Sequence, residues 1–228
     1  MDYTYEDIAK MIDHSLLNPK MTDTELIEGC KIALKYNTAS VCIKPYYVKE
    51  AAEILKGSGV KTGATIGFPH GGHSTVIKVA EAKQAMADGA EELDMVVNVG
   101  KVLSLDWNFV IGDIKAVVEV GHLGGAIVKV IFENCYLQDE HKIRLCGICG
   151  QVGADFVKTS TGYGDGGATI DDLKLMRKYS PTTVQVKAAG GIRTFDQALE
   201  VRAVGVTRVG ATRTIDILEE CKKRLGMK

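Results

Sequence analysis

Apolar strand-like runs alternate with amphipathic helical stretches along the whole chain, and this alternation restricts the fold more than any other feature. Strands are predicted at 11–15, 39–44, 61–66, 92–97, 126–132, 155–159, 183–187 and 206–210. Helical spacing of apolar residues is found at 23–36, 47–56, 74–88, 106–120, 138–152, 169–179, 194–204 and 214–225. Eight strand-then-helix units predict parallel strands in a single-domain (β/α)8 TIM barrel with outer helices, spanning residues 1–228.

Local signals at the helix ends agree with this division. Thr22 and Thr169 are suited to cap helices that begin with acidic residues, and Gly89, Gly121 and Gly153 follow predicted helices as C-terminal caps. The alternative is an open doubly wound sheet, which usually has fewer strands and an early phosphate-binding turn. The glycine-rich turns of this chain cluster late, which favours the closed barrel.

The charge balance excludes several classes of partner. The 228 residues include Lys+Arg 28 and Asp+Glu 29, a net charge of -1, so neither nucleic acid nor an anionic membrane surface is an expected partner. No apolar run is long enough to span a bilayer, and the first residues do not resemble a signal peptide. We therefore expect a cytoplasmic protein whose six cysteines are reduced.

Charged side chains interrupt four of the predicted strands. Asp94, Lys129, Lys158 and Lys187 each lie among apolar neighbours, on the fourth to seventh strands in that order. Functional groups of such barrels lie at the C-terminal ends of strands, and neighbouring strands are only about 4.8 Å apart. We therefore expect Asp94 to meet Lys129, and Lys158 to meet Lys187.

This combination of charges favours amine chemistry. A buried lysine loses hydration, and a second cation beside it lowers its pKa further. Three lysines with one aspartate leave excess positive charge, which makes a neutral, nucleophilic amine available near neutral pH. The pattern therefore indicates an enzyme that forms a Schiff base. The alternative is a set of buried ion pairs that only fixes the barrel interior.

Glycine-rich turns follow the lysine-bearing strands and the last strand. Four glycines can leave backbone N–H groups open there: Gly162, Gly190, Gly191 and Gly210. Barrels commonly hold phosphate at such turns after their last strands. Side chains that can add donors are Thr161, Thr212 and Arg213. The alternative is that the glycines only permit tight turns.

Two motifs with the spacing of metal ligands are interpreted as structural or unrelated to metal. Cys146 and Cys149 lie inside a predicted helix without a second ligand pair, so we expect them to pack as small apolar residues. His70 and His73 lie on a loop without an acidic third ligand, so we expect no metal there.

Three further side chains are expected near the barrel mouth from their positions on the first two strands: Asp13, His14 and Cys42. His14 can alternatively be a satisfied interior histidine. Nothing in the sequence supplies Cys42 with a base, so we do not interpret it as a nucleophile.

Motifs along nearly the whole chain resemble the deoxyribose-phosphate aldolase family, a family of class I aldolases with a (β/α)8 fold. The most specific are Lys-Thr-Ser-Thr-Gly at 158–162 and Lys-Ala-Ala-Gly-Gly-Ile-Arg at 187–193. Others are Ile-Asp-His-Ser-Leu-Leu at 12–17, Ser-Val-Cys-Ile at 40–43, Ile-Gly-Phe-Pro-His-Gly at 66–71, Glu-Leu-Asp-Met-Val at 92–96 and Lys-Val-Ile at 129–131.

The resemblance implies reversible cleavage of 2-deoxy-D-ribose 5-phosphate to D-glyceraldehyde 3-phosphate and acetaldehyde. It implies that Lys158 forms the Schiff base, that Lys187 keeps the amine reactive, that Asp94 moves protons through water, and that Lys129 holds Asp94 ionised. The four glycines named above are then expected to bind the substrate phosphate. Because the iminium serves as the electron sink, neither a metal nor an organic cofactor is expected.

One departure from the family concerns the last strand, after which many members carry a serine pair and this chain has Thr212 and Arg213. Expected partners are small phosphosugar and aldehyde substrates, with a homodimer or higher homo-oligomer as the possible assembly. Alternatives are a lysine-dependent aldolase for another phosphosugar, a phosphosugar-binding barrel without turnover, and a metal-dependent epimerase that uses His70 and His73.

Overall fold

Eight parallel strands close into one barrel in the computed structural model, which describes residues 3–227. The strands follow one another around the barrel in chain order. They are β1 Ile12–Leu16, β2 Ser40–Ile43, β3 Lys61–Ile66, β4 Glu92–Val96, β5 Ile127–Ile131, β6 Phe156–Lys158, β7 Gln185–Ala189 and β8 Arg208–Ala211. The predicted fold is therefore confirmed. Residues 1, 2 and 228 of the predicted domain lie outside the described residues.

Helices surround the barrel and join each strand to the next. They are α1 Tyr5–Ala9, α2 Asp23–Tyr36, α3 Val48–Leu55, α4 Thr75–Ala87, α5 Val99–Leu103, α6 Trp107–Leu123, α7 Asp139–Val152, α8 Ile170–Tyr179, α9 Phe195–Ala203 and α10 Thr214–Arg224. Short 3-10 turns lie at Pro45–Tyr47 and Asn134–Tyr136. Within residues 3–227, no helix is long and apolar enough to cross a membrane.

Side chains that alternate along each strand face two buried regions, namely the inside of the barrel and the layer between the strands and the helices. On β4, Leu93 and Met95 belong to the apolar core between strands and helices, whereas Asp94 lies inside the barrel with Lys129 opposite it on β5. Lys158 on β6 lies opposite Lys187 on β7. Because side chains on a strand alternate between its two faces, the register that buries the apolar residues also turns these charges inward.

Capping side chains fix several helix starts where the sequence predicts them. The Thr22 hydroxyl accepts the Glu25 N–H, and the Glu25 carboxylate accepts the Thr22 N–H in return. At α8 the Thr169 hydroxyl accepts the N–H of Asp172. Both predicted caps are thus confirmed.

The predicted end of α6 is wrong. The helix does not stop before Gly121 but continues to Leu123, with Gly124 as its cap. A Cβ atom on Gly121 would lie 2.5 Å from Cγ2 of Val128, so this glycine allows α6 to pack closely on β5. The five-residue helices α1 and α5 were also not predicted, because so few residues carry little periodicity.

Candidate active site

Asp94 lies at the centre of a cluster of buried lysines. Its Oδ2 atom accepts hydrogen bonds from the Nζ atoms of Lys158 and Lys187, each at 2.7 Å. Its Oδ1 atom accepts from Lys129 Nζ, also at 2.7 Å. All four side chains are buried. The structure thus brings together the four charged residues that the sequence singles out, through the register of β4 with β5 and of β6 with β7.

The cluster contains more anions than the three lysines and one aspartate that the sequence predicts, and this expectation is corrected. Asp13 Oδ2 lies 2.5 Å from Lys187 Nζ and 3.4 Å from Lys129 Nζ. Glu92 Oε2 lies 2.5 Å from Lys129 Nζ. Asp13 was expected only near the barrel mouth and Arg208 was not singled out, because their contact requires the barrel to close between β8 and β1. Glu92 was missed because it is the first residue of β4, where a charged side chain is usually exposed.

Arg208 completes the inner network from the last strand. Its guanidinium donates to Asp13 Oδ1 at 2.6 Å and to Glu92 Oε2 at 3.0 Å. Ser40 donates its hydroxyl to the same Asp13 oxygen at 2.6 Å. The network then holds four cationic side chains and three carboxylates, namely Lys129, Lys158, Lys187, Arg208, Asp13, Glu92 and Asp94.

The charges of this network balance when one lysine is neutral. Lys129 contacts three carboxylates, and Lys187 contacts two. Lys158 contacts Asp94 alone among the described carboxylates. Lys158 is therefore the lysine whose proton is least stabilised by its surroundings.

The pKa shifts of the lysines run in opposite directions for the same reason. Burial and the neighbouring charge of Lys187 hold the pKa of Lys158 below its usual value, although Asp94 opposes them. Burial also disfavours the charged form of Lys187, but Asp13 and Asp94 outweigh it and raise the pKa. The pKa of Lys129 is raised well above its usual value, because Asp13, Asp94 and Glu92 outweigh its burial.

Asp94 remains a carboxylate in this environment. Burial would raise the pKa of Asp94, but the three lysines that contact it hold that pKa well below its usual range. The site therefore combines an ionised carboxylate, two firmly charged lysines and one lysine poised to be a neutral amine.

A cavity of about 590 Å³ opens at the C-terminal ends of the strands and reaches this cluster. Lys158 and Lys187 line it, whereas Asp94 and Lys129 are buried beneath its lining. Six of the residues expected to bind an anion also line it: Thr161, Gly162, Gly190, Gly191, Gly210 and Thr212. A carbonyl compound that enters the cavity can therefore reach the Lys158 amine while its far end contacts the glycine turns.

The glycines after β7 are required by the backbone. Gly190 and Gly191 have φ values of +80° and +94°, a region that other residues rarely adopt. A Cβ atom on Gly190 would also lie 2.9 Å from the Cα of Gly167. Within residues 3–227 the N–H groups of both glycines donate to no protein acceptor. Both N–H groups therefore remain available to a ligand in the cavity that the two glycines line.

Two of the expected donors behave differently from expectation. Arg213 lies outside the cavity lining, with its largely exposed guanidinium 3.5 Å from Asp216. The Thr161 hydroxyl donates to the buried carboxylate of Glu133, which also accepts the Thr161 N–H at 3.1 Å. Thr161 therefore anchors the loop after β6 instead of offering its hydroxyl to an anion.

Arg193 was not predicted as a site residue, although only Ile192 separates it from the glycine turn. It lines the cavity, it is exposed, and its guanidinium contacts no acceptor among the described residues. The signal in the sequence was the cation two positions after Gly191. Arg193 thus supplies the positive charge at the glycine turns that was expected of Arg213.

Of the three side chains expected near the mouth, His14 and Cys42 line the cavity, whereas Asp13 belongs to the inner network. The Nδ1 atom of His14 lies 2.7 Å from the Thr214 hydroxyl, and burial lowers the pKa of this imidazole to about 4. Burial, followed by the charge of Asp94, raises the pKa of the Cys42 thiol. Cys42 Sγ lies 3.8 Å from Asp94 Oδ2.

The remaining motifs lie away from the cavity. Cys146 and Cys149 are buried within α7, where burial raises the pKa of both thiols. His70 and His73 are exposed. Over the described part of the chain, no three His, Cys, Asp or Glu side chains are grouped to hold a metal ion.

Comparisons with known proteins agree with this geometry. The family model described as DeoC/LacD family aldolase matches residues 8–212. The deoxyribose-phosphate aldolase of Rhodopirellula baltica is 60% identical over 226 residues, which cover 99% of this chain and 94% of the relative. That of Thermococcus gammatolerans is 49% identical, over 93% of this chain and 96% of the relative.

A solved structure of similar shape is that of the tetrameric deoxyribose phosphate aldolase from Aeropyrum pernix. It superposes with a TM-score of 0.89 at 31% identity, covering 97% of this chain and 93% of that chain. The resemblance inferred from the sequence motifs is confirmed. The chain belongs to the DeoC/LacD family of aldolases, and it is a lyase.

Proposed function

We propose that this protein reversibly cleaves 2-deoxy-D-ribose 5-phosphate to D-glyceraldehyde 3-phosphate and acetaldehyde through a Schiff base on Lys158. The observation that carries the proposal is the shared contact of Lys158 and Lys187 with one oxygen of Asp94 at the floor of the cavity. The names of the relatives support the choice of substrate.

The neutral amine of Lys158 attacks the C1 carbonyl of the open-chain sugar, and loss of water from the carbinolamine leaves an iminium. Asp94, which contacts Lys158 Nζ at 2.7 Å, exchanges protons with the reacting nitrogen and oxygen through water. The C3 hydroxyl then loses its proton while the C2–C3 bond breaks, and the electron pair moves to the iminium as an enamine. D-Glyceraldehyde 3-phosphate departs, the enamine is protonated at carbon, and hydrolysis releases acetaldehyde and the Lys158 amine.

Lys187 and Lys129 keep the participants in the required charge states. The positive charge of Lys187 disfavours protonation of Lys158. Asp13 and Asp94 keep Lys187 itself protonated. Lys129 holds Asp94 ionised and oriented through its contact with Oδ1. No metal ion and no organic cofactor takes part in the proposed steps.

The phosphate is proposed to bind at the free N–H groups of Gly162, Gly190 and Gly191, beside Gly210 and Thr212, with Arg193 as the counter-charge. This places the charged end of the substrate away from Lys158. A phosphosugar thus fits the polarity of the cavity better than an unphosphorylated sugar does.

Replacement of Lys158 tests the proposal. Lys158→Ala should abolish cleavage of deoxyribose 5-phosphate while the circular dichroism spectrum stays as in the wild type. Lys142→Ala is the control, because Lys142 is a buried lysine that pairs with Asp172 on the outer helices. A Lys158→Ala variant with wild-type turnover would refute the proposal.

A substrate panel and a chelator separate the alternatives. Cleavage of another phosphosugar faster than deoxyribose 5-phosphate would identify a related aldolase, and binding without any cleavage would identify a non-catalytic barrel. Activity that disappears in a chelator would indicate metal chemistry instead of the Lys158 route.

We further propose that the protein acts in the cytoplasm as a homo-oligomer. Phosphorylated sugars occur inside cells, since their charge prevents passage through bilayers. Val76 on α4 and Leu123 on α6 expose 71% and 89% of their surfaces, and contact between copies would bury such side chains. The tetrameric Aeropyrum pernix relative supports this assembly. Light scattering after size exclusion tests it, and a monomer at micromolar concentration would contradict it.

A further inference from the structure

Tyr163 reaches across the mouth of the cavity. Its hydroxyl donates to the carbonyl oxygen of Leu17, directly after β1, at 2.6 Å. Its ring meets that of Phe68, which follows β3, edge-on with centroids 5.6 Å apart. Tyr163 itself follows β6 by five residues. It therefore joins three loops of the catalytic end.

The strand order shows that Tyr163 contacts residues that follow strands not adjacent to β6. Around the barrel, β7 and β8 lie between β6 and β1, and β4 and β5 lie between β3 and β6. A side chain that starts after β6 and contacts residues that follow both β1 and β3 extends over the C-terminal opening of the barrel. Tyr163, Leu17 and Lys158 all line the cavity, so this bridge borders the space that reaches the Lys158 amine.

The base of the bridge is held rigidly. The Tyr163 N–H donates to the Thr161 hydroxyl at 3.0 Å, and Thr161 is in turn bound to the buried carboxylate of Glu133. Gly162 and Gly164 flank Tyr163, and a Cβ on Gly164 would lie 3.0 Å from the carboxyl carbon of Glu133. Tyr163 nevertheless stays 46% exposed, as a residue at the solvent side of the cavity would be.

We propose that Tyr163 is a specificity-determining residue, because its side chain blocks part of the mouth of the cavity that Lys158 lines. Small, unbranched carbonyl compounds therefore enter in preference to bulky ones. The inference rests on the proposed function of the cavity and names what that function selects. The hydrogen bond to Leu17 holds the Tyr163 side chain across the mouth, and the ring limits the size of the compounds that can enter.

Thiol labelling tests whether Tyr163 limits access to the cavity, and it does not rely on catalysis. Cys42 lines the cavity but is only 2% exposed, and Cys30 is fully buried in the core. N-ethylmaleimide labelling of each cysteine is followed by peptide mass mapping. Tyr163→Ala should accelerate the labelling of Cys42 about tenfold, the effect of removing a steric contact from a pocket wall. Tyr163→Phe keeps the ring and loses one hydrogen bond, so we expect an increase of about fivefold.

The controls distinguish blocking of the cavity mouth by Tyr163 from a general role of Tyr163 in the stability of the fold. Tyr179→Phe alters an exposed tyrosine on α8 and should leave the Cys42 rate unchanged. Cys30 reports global opening of the fold. An unchanged Cys42 rate in Tyr163→Ala would overturn the inference, and so would equal acceleration of Cys42 and Cys30.

Aldehyde trapping tests whether Tyr163 determines which aldehydes react with Lys158. Wild type and variants are treated with borohydride and an equimolar mixture of acetaldehyde and phenylacetaldehyde, and the Lys158 peptide is analysed. The ratio of phenylacetaldehyde to acetaldehyde adduct should rise about tenfold in Tyr163→Ala. An unchanged ratio would overturn the inference. If the wild type forms no adduct at Lys158, the proposed function is refuted. The labelling rates of Cys42 still show whether Tyr163 blocks the cavity mouth.

Discussion

Replacement of Lys187 by methionine removes the cation that shares Asp94 Oδ2 with Lys158. Each ammonium nitrogen lies 2.7 Å from that oxygen, so the two nitrogens are at most about 5.4 Å apart. Two like charges at this distance repel by about 3 kcal/mol at an effective dielectric constant of about 20. That energy corresponds to about two pKa units, so the pKa of Lys158 should rise by about two units.

The charge balance of the network gives the same sign. Without Lys187, three cations remain for three carboxylates, so the network is neutral with Lys158 protonated. Asp13 keeps Arg208 at 2.6 Å and Lys129 at 3.4 Å, so the substitution leaves no carboxylate without a partner. The variant should therefore fold, while its Lys158 amine is charged over a wider pH range.

The pH dependence of kcat/KM measures this change, because it reports ionisations of the free enzyme. In Lys187→Met the acid limb should move upward by about two pH units, and below the wild-type limb the rate should fall about 100-fold. Lys142→Met is the control, because Lys142 is a buried lysine whose partners Asp139 and Asp172 lie on the outer helices. An acid limb at the wild-type pH would refute the reasoning, even if the maximal rate were lower.

Further predictions concern the phosphate end and the first strand. Arg193→Leu should raise KM for deoxyribose 5-phosphate about 10- to 100-fold and leave unphosphorylated deoxyribose nearly unaffected, because a charge-assisted hydrogen bond is lost. Arg213→Leu is the control, since Arg213 lies outside the cavity, and equal effects in steady-state kinetics would contradict the assignment. His14 has a folded-state pKa of about 4, below its unfolded value of 6.5, so its contribution to stability is present above pH 6.5 and is lost as the pH falls toward 4. In urea unfolding, the stability advantage of wild type over His14→Asn should shrink by up to about 3 kcal/mol across that range, and parallel curves would contradict this.

The sequence predicted those parts of the site that depend on one strand and its neighbour. Lys158 and Lys187 interrupt short apolar runs that end in glycine turns, and this local pattern is sufficient to place both at the C-terminal ends of adjacent strands. Asp94 and Lys129 could be paired in the same way. The barrel itself followed from the alternation of strands and helices, which is a repeated signal and therefore tolerates errors at single boundaries.

Contacts between distant parts of the chain could not be predicted. Arg208 joins Asp13 only because β8 closes on β1, and in the sequence it is an ordinary polar residue at a strand start. Glu92 similarly precedes the core of its strand. Tyr163 contacts Leu17 across 146 residues, and no periodicity reports such a bridge. Gly121 resembled a helix cap because close packing and chain termination both favour glycine.

Trapping of the covalent intermediate tests the central claim most directly. Acetaldehyde and the Lys158 amine should form an iminium with loss of water, and borohydride should reduce it to a stable N-ethyl lysine. Peptide mass mapping is predicted to find the ethyl group on the Lys158 peptide and none on the peptides of Lys129 or Lys187, which are held charged by their carboxylates. No adduct on a folded sample, or an adduct on Lys187 in place of Lys158, would contradict the account.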